Sequence, residues 1–220
     1  MTAGEITRPG GEKSITDLAM RAVSALIVLV LAYQALHFWL RDPLHYVIDY
    51  STTSFGRFWP RRFVLLPHIA GGTVALFSGP FQLWSGLRRK HLRIHRATGY
   101  AYISGVFLAG GTAFVLAFHA DPPVSGVPLF FMAAAWWTTI AMAFVAIRGR
   151  QIDAHRQWMI RSYVLTFAFV TVRYVTDLPV IAPLGDDRFT LANWMCWTIP
   201  LFVTEVALQW RRTIGPRRAP

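Results

Sequence analysis

The sequence predicts an all-α, polytopic membrane helix bundle of six transmembrane helices with both termini in the cytoplasm. Three observations carry that expectation. Apolar residues gather in six blocks, each close to the roughly 20 residues a helix needs to cross the hydrocarbon core. Basic residues concentrate on alternate connectors. Trp39, Trp59, Trp84, Trp158, Trp194 and Trp210 fall near block ends, where an aromatic belt would lie.

The first block, about 18–40, is too long for the apolar core of a signal peptide, so it is expected to stay in the chain as a span. Arg21 near its start can snorkel to the interface. The second, about 63–87, carries Pro67 in a first-turn position and Gly79-Pro80 further along, where a kink is expected. The third is about 97–118, the fourth about 127–147, the fifth about 157–181 and the sixth about 192–210. They make one transmembrane domain, 17–211, between cytoplasmic tails 1–16 and 212–220. The long connector 41–62 is expected to cap the outer side.

Orientation follows from the connectors. Arg8, Lys13 and Arg21 precede or open the first span. Arg88, Arg89, Lys90, Arg93 and Arg96 lie between spans two and three, and Arg148, Arg150 and Arg156 between four and five. Arg211, Arg212, Arg217 and Arg218 follow span six. The opposite side holds Arg41, Arg57, Arg61, Arg62 and Arg188. This bias puts the first side in the cytoplasm.

Composition excludes some functions. The hydrophobic share of 54% decides less than its clustering. The net charge of +11 belongs to the membrane connectors, so no nucleic-acid partner is expected. The single cysteine, Cys196, rules out an intramolecular disulfide and a cysteine-ligated zinc or iron–sulfur centre. The absence of an inverted repeat gives no support to a transporter.

The small residues Ala101, Gly105, Ala109, Ala113 and Ala117 recur every four positions in span three. Such a face suits close helix packing first, and a flat cofactor second. Span two adds Gly71, Gly72, Ala75 and Gly79.

Chemistry points first to the histidines. His37, His45, His68 and His119 fall near the outer face, and His91, His95 and His155 near the inner face. His68 is followed four residues later by Gly72, and His95 by Gly99, which places each pair on one helix face. A haem on an axial histidine needs such room for its ring. His95 and His155 open spans three and five at one membrane level, so bis-histidine ligation of haem b is the leading expectation. An outer haem on His68 would need His119 or His37. The alternative is zinc held by His91, His95, His155 and Asp153.

Charges within apolar blocks come next, because they usually face the bundle interior or a ligand. Arg173 can hold a haem propionate or a quinone carbonyl, or pair with Asp177 one turn away. Arg161, Gln82 and Glu205 are further inward-facing candidates. Glu205 serves as a proton carrier or as the partner of Arg161.

The stretches PHIAGGTVALFSGPFQLW (67–84), HRATGYAYISG (95–105) and HRQWMIRSYVLTFAFVTVRYV (155–175) resemble a bacterial membrane-protein family, domain of unknown function 2306. The resemblance spans roughly 60–210 and implies a multi-helix membrane fold without an assigned activity. It brings His68, Gln82, His95, Arg96, Gly99, His155, Trp158, Arg161 and Arg173 forward as site candidates. More distantly, the arrangement is similar to the four-helix core of cytochrome b561-like proteins. Spans two to five would be that core, with His95 and His155 on its second and fourth helices. Span four carries no histidine to partner His68, a departure from a two-haem pattern.

These readings converge on a protein of the bacterial inner membrane that transfers electrons through haem b, with quinone or a membrane redox complex as partner. A non-catalytic subunit of a larger membrane complex, without cofactor, is the alternative. A zinc-dependent membrane hydrolase is the third reading.

Overall fold

The computed structural model of the chain describes residues 12–41, 43–48, 56–83, 91–176 and 178–213. The described residues are helical and contain no strand. Six long helices account for most of them: α1 (Glu12–Arg41), α3 (Arg62–Leu83), α4 (Leu92–Ala117), α5 (Gly126–Arg148), α6 (Ile152–Thr176) and α7 (Asp187–Thr213). A short α2 (Pro43–Ile48) follows α1, and single 3₁₀ turns precede α3, α5 and α7. Trp84, Arg88, Arg89, Lys90 and Asp177 lie outside the described residues, as do the outermost parts of both tails.

Among the described residues four helical stretches are long and apolar enough to cross a membrane: Trp59–Gln82, Leu92–Ala117, Pro123–Arg148 and Asp187–Trp210. Their outer faces carry large apolar side chains. Phe202 is 69% exposed and Val203 58%, an arrangement that suits lipid and not water.

Some helix limits differ from the apolar blocks. α4 starts at Leu92, five residues before the expected 97, because Arg93 and Arg96 are exposed and long enough to reach the interface from helical backbone. His95 therefore sits inside the first turn of α4 instead of before it. α6 ends at Thr176, short of the expected 181. Pro179 disfavours helix at the residue before it, and turns fill the gap to α7. α7 starts five residues early, at Asp187.

α3, α4, α5 and α6 form the core, each packed on the next, with α6 closing back on α3. α7 lies against α5 and α6, and α1 against α6. The centre is filled by Tyr102, Val106, Trp136, Ile140 and Leu165, all nearly inaccessible.

The tightest seam is α3 on α4. A Cβ added to Gly71 would stand 2.6 Å from Gly105 O, and one on Gly105 would stand 2.7 Å from Gly71 O. Ala75 and Ala109 continue the contact, both fully buried. The small-residue face of span three is thus a packing face that lets two backbones touch.

α3 runs on through Pro67 and Pro80. A proline cannot donate to the carbonyl four residues back, so Pro80 leaves Leu76 O without its helical partner. Tyr163 of α6 supplies one, its hydroxyl donating to Leu76 O at 3.2 Å. The ring reaches that carbonyl across Gly79, where any Cβ would lie 2.1 Å from Tyr163 Cε2. Gly79 and Pro80 are therefore a matched pair, one making room and the other creating the need.

Candidate functional site

Arg62 anchors the start of α3. Its guanidinium lies 4.7 Å from the Trp59 ring centre and 4.6 Å from that of Phe63, and it donates to Trp59 O at 3.1 Å. His68 follows six residues later, about 9 Å deeper along the helix.

At that depth the α3–α4 seam lets a side chain reach the neighbouring main chain. His68 Nδ1 lies 2.8 Å from Ala109 O. A carbonyl only accepts, so Nδ1 carries the proton and the neutral ring keeps its lone pair on Nε2. Phe169 stands edge-on to the ring, with centroids 5.3 Å apart.

The imidazole borders a cavity of about 80 Å³. Phe38 and Trp39 of α1 wall it on one side, and Thr166 and Phe169 of α6 on another. Ile69, Gly72, Thr73 and Leu76 complete it from α3. A Cβ on Gly72 would meet nothing within 4 Å, so this glycine borders open space. His68 and Gly72 share that space, the arrangement their spacing predicts. Trp39 fastens α1 over it, Nε1 donating to Thr73 Oγ1 at 3.0 Å.

Behind the cavity is a buried polar network with fixed polarity. Thr166 Oγ1 donates to Ser162 O at 3.0 Å. Indole N–H only donates, so Trp136 Nε1 gives Thr166 Oγ1 a bond at 3.0 Å. The remaining lone pair accepts from Tyr102 Oη, 2.9 Å away. With its proton committed there, Tyr102 accepts from Ser162 Oγ, also at 2.9 Å. Thr166 is thereby saturated, and it offers a cavity ligand no further bond.

Two further polar groups are paired across helices. Arg161 pairs with Glu205 of α7 through two parallel bonds, Nε to Oε1 and the second, at 2.8 Å, from Nη2 to Oε2. The arginine side chain is 11% exposed and the glutamate 40%. Trp158 lies under the guanidinium, 4.8 Å from Cζ to the ring centre. Glu205 is thus the partner of Arg161. Gln82 Nε2 donates to Thr98 Oγ1 and, at 3.1 Å, to His95 O, joining the end of α3 to the start of α4.

A family described as "Predicted membrane protein (DUF2306)" matches residues 65–208. The chain belongs to this family. The match covers most of α3, all of α4, α5 and α6 and most of α7, with His68, His91, His95, His119 and His155. No curated protein and no solved structure matches the chain.

In this member of the family the surroundings of Gly99 and His155 are taken up by packing. Gln82 fills the room beside Gly99, where a Cβ would lie 3.2 Å from Oε1. His155 turns to α5, its Nδ1 2.8 Å from Ala143 O. His119 bonds back to the end of α4 at Val115 O, 2.8 Å away, and His37 stacks on Tyr33. The cavity beside His68, about 80 Å³, is far below the roughly 300–1,000 Å³ of ordinary ligand pockets. A porphyrin does not fit beside His68 as this cavity is packed. Nor is the zinc alternative assembled: among the described residues no three His, Cys, Asp or Glu side chains gather, so His91, His95, Asp153 and His155 form no such cluster. Arg96 is exposed at the start of α4, and Arg173 is exposed near the end of α6. Its expected partner Asp177 lies outside the described residues.

The sequence did not bring Tyr102, Ser162, Thr166, Trp136 or Thr73 forward as site residues, and Trp39 stood out only as part of an aromatic belt. Ser162 and Thr166 were visible as an i, i+4 hydroxyl pair in an apolar helix, a pattern that signals inter-helix bonding.

Proposed function

We propose that the chain is a six-span protein of the bacterial cytoplasmic membrane, with both termini inside, that binds the ring head of a membrane quinone or quinol at His68. Through that ligand it serves a membrane redox complex.

Topology has three supports. α1, at 30 residues, and α6, at 25, join the four strongly apolar stretches as helices of spanning length. α6 is the most polar of them near its middle, but Arg161, Ser162 and Thr166 are buried and the helix is packed against α1, α3, α5 and α7. A helix enclosed by spans crosses with them. The basic connectors then set the cytoplasmic side.

The His68 cavity carries the ligand assignment. Its walls are three aromatic rings and a leucine, and its polar groups are few, as suits a flat apolar ring with an oxygen on its edge. A cavity of roughly 150 Å³ holds benzene. At about 80 Å³ this one admits a ring once Phe38 swings outward, with Trp39 still bonded to Thr73. Both belong to α1, outside the four-helix core.

The test is the lipid that accompanies the protein. Purified in mild detergent, the wild type carries quinone above the level of an unrelated membrane protein, and Gly72→Leu carries none, because leucine fills the open space at position 72. Equal quinone in the wild type and the unrelated protein refutes the assignment.

A further inference from the structure

The hydrogen-bonding polarity of the cavity specifies which oxygen it takes. Thr98, Thr112, Thr138 and Thr171 each donate their hydroxyl to the carbonyl four residues back, the usual arrangement in a helix. Thr73 does not, among the described residues. Its Oγ1 accepts from Trp39 Nε1, and its proton is left for the cavity that it borders. His68 is the complement. With Nδ1 held as donor by Ala109 O, the neutral ring presents an acceptor at Nε2. Thr166, the other polar residue on the wall, is saturated by Trp136, Tyr102 and Ser162. The cavity therefore offers one donor and one acceptor.

We infer that the site selects a ring hydroxyl over a ring carbonyl or ether, and so takes the reduced, quinol form of the lipid. This rests on the binding assignment above. A hydroxyl uses both groups, donating to His68 Nε2 and accepting from Thr73 Oγ1. A carbonyl accepts from Thr73 and leaves Nε2 facing an atom that cannot donate, inside an apolar enclosure where an unmet polar group is costly. His68 is a specificity-determining residue on this reading, and Ala109 O is the group that sets its tautomer.

Two probes built on one ring separate the possibilities. 1-Naphthol and 1-methoxynaphthalene both have the ring and an oxygen that accepts, but only the naphthol donates. Their affinities for the purified full-length protein are measured by calorimetry in detergent. The wild type binds the naphthol at least about tenfold more tightly, since a site built around a substrate hydroxyl rejects the analogue that cannot donate. His68→Ala removes the preference. Thr73→Val, close in shape to the parent residue, weakens both probes by a similar factor and keeps the preference. Should His68→Ala fail to fold, Thr73→Val and the wild-type ratio still decide the matter. Equal wild-type affinities overturn the hydroxyl selectivity and leave the ring-binding assignment standing. A preference that survives His68→Ala overturns the role of His68. Binding of neither probe overturns both proposals.

Discussion

The Tyr163 hydroxyl holds a carbonyl that Pro80 has deprived of its helical donor, and this makes a quantitative prediction. Tyr163→Phe removes one bond, at 3.2 Å to Leu76 O, and keeps the ring that packs over Gly79. Inter-helix hydrogen bonds in membranes contribute about 0.6 kcal/mol on average and up to about 1.7. Leu76 O has no helical donor to fall back on, so the cost should lie in the upper half of that range, about 1 kcal/mol. In a Pro80→Ala background the alanine N–H supplies the helical bond to Leu76 O, and Tyr163→Phe should then cost close to nothing. The double-mutant cycle thus has a coupling of about 1 kcal/mol. Reversible unfolding in mixed detergent micelles, titrated with SDS, measures all four proteins. If Tyr163→Phe costs the same with and without Pro80, the tyrosine is not replacing the lost donor, and the reasoning fails.

Other predictions follow from the same geometry. Gly71→Ala places a Cβ 2.6 Å from Gly105 O and forces the α3–α4 seam apart, so it should destabilise by about 1–3 kcal/mol in the SDS titration. A neutral result would mean that the seam is loose. Glu205→Gln weakens the paired bonds to the buried Arg161, and with Glu205 itself 40% exposed the expected loss is moderate, about 1–3 kcal/mol. Unchanged stability would show that Arg161 has another sufficient partner. For orientation, Gln151→Cys and Asp186→Cys are made in a Cys196→Ser background. An impermeant maleimide should label position 186 in intact spheroplasts, and position 151 only after permeabilisation. The reverse pattern contradicts the orientation.

Much of the architecture was legible in the apolar blocks, because helix length in a membrane is set by bilayer thickness and each block had that length. The block limits were less legible. Arg93 and Arg96 hid the first turn of α4, since a charged residue at an interface is as helical as an apolar one. Pro179 marked the end of α6 better than hydropathy did. At the site, the His68–Gly72 spacing led to a real cavity, and the pairing of Arg161 with Glu205 was one of two stated options. The matching His95–Gly99 spacing led elsewhere, because Gln82, from a different helix, fills the room beside Gly99. Local spacing says where a side chain has space on its own helix; it carries no record of what the neighbouring helix puts there. For the same reason the Tyr102–Ser162–Thr166–Trp136 network, drawn from three helices, had no single motif to announce it.

The central claim is that the His68 cavity binds the ring of a membrane quinone or quinol, and Trp39 in its wall provides the signal for testing it. A short-tailed quinone, the more weakly held form, titrated in excess into the purified protein should quench tryptophan fluorescence to a saturating limit. The saturable part should vanish in Gly72→Leu, whose new side chain occupies the space where nothing now lies within 4 Å. Saturable quenching of equal depth and affinity in both proteins would place the ring elsewhere and contradict the account.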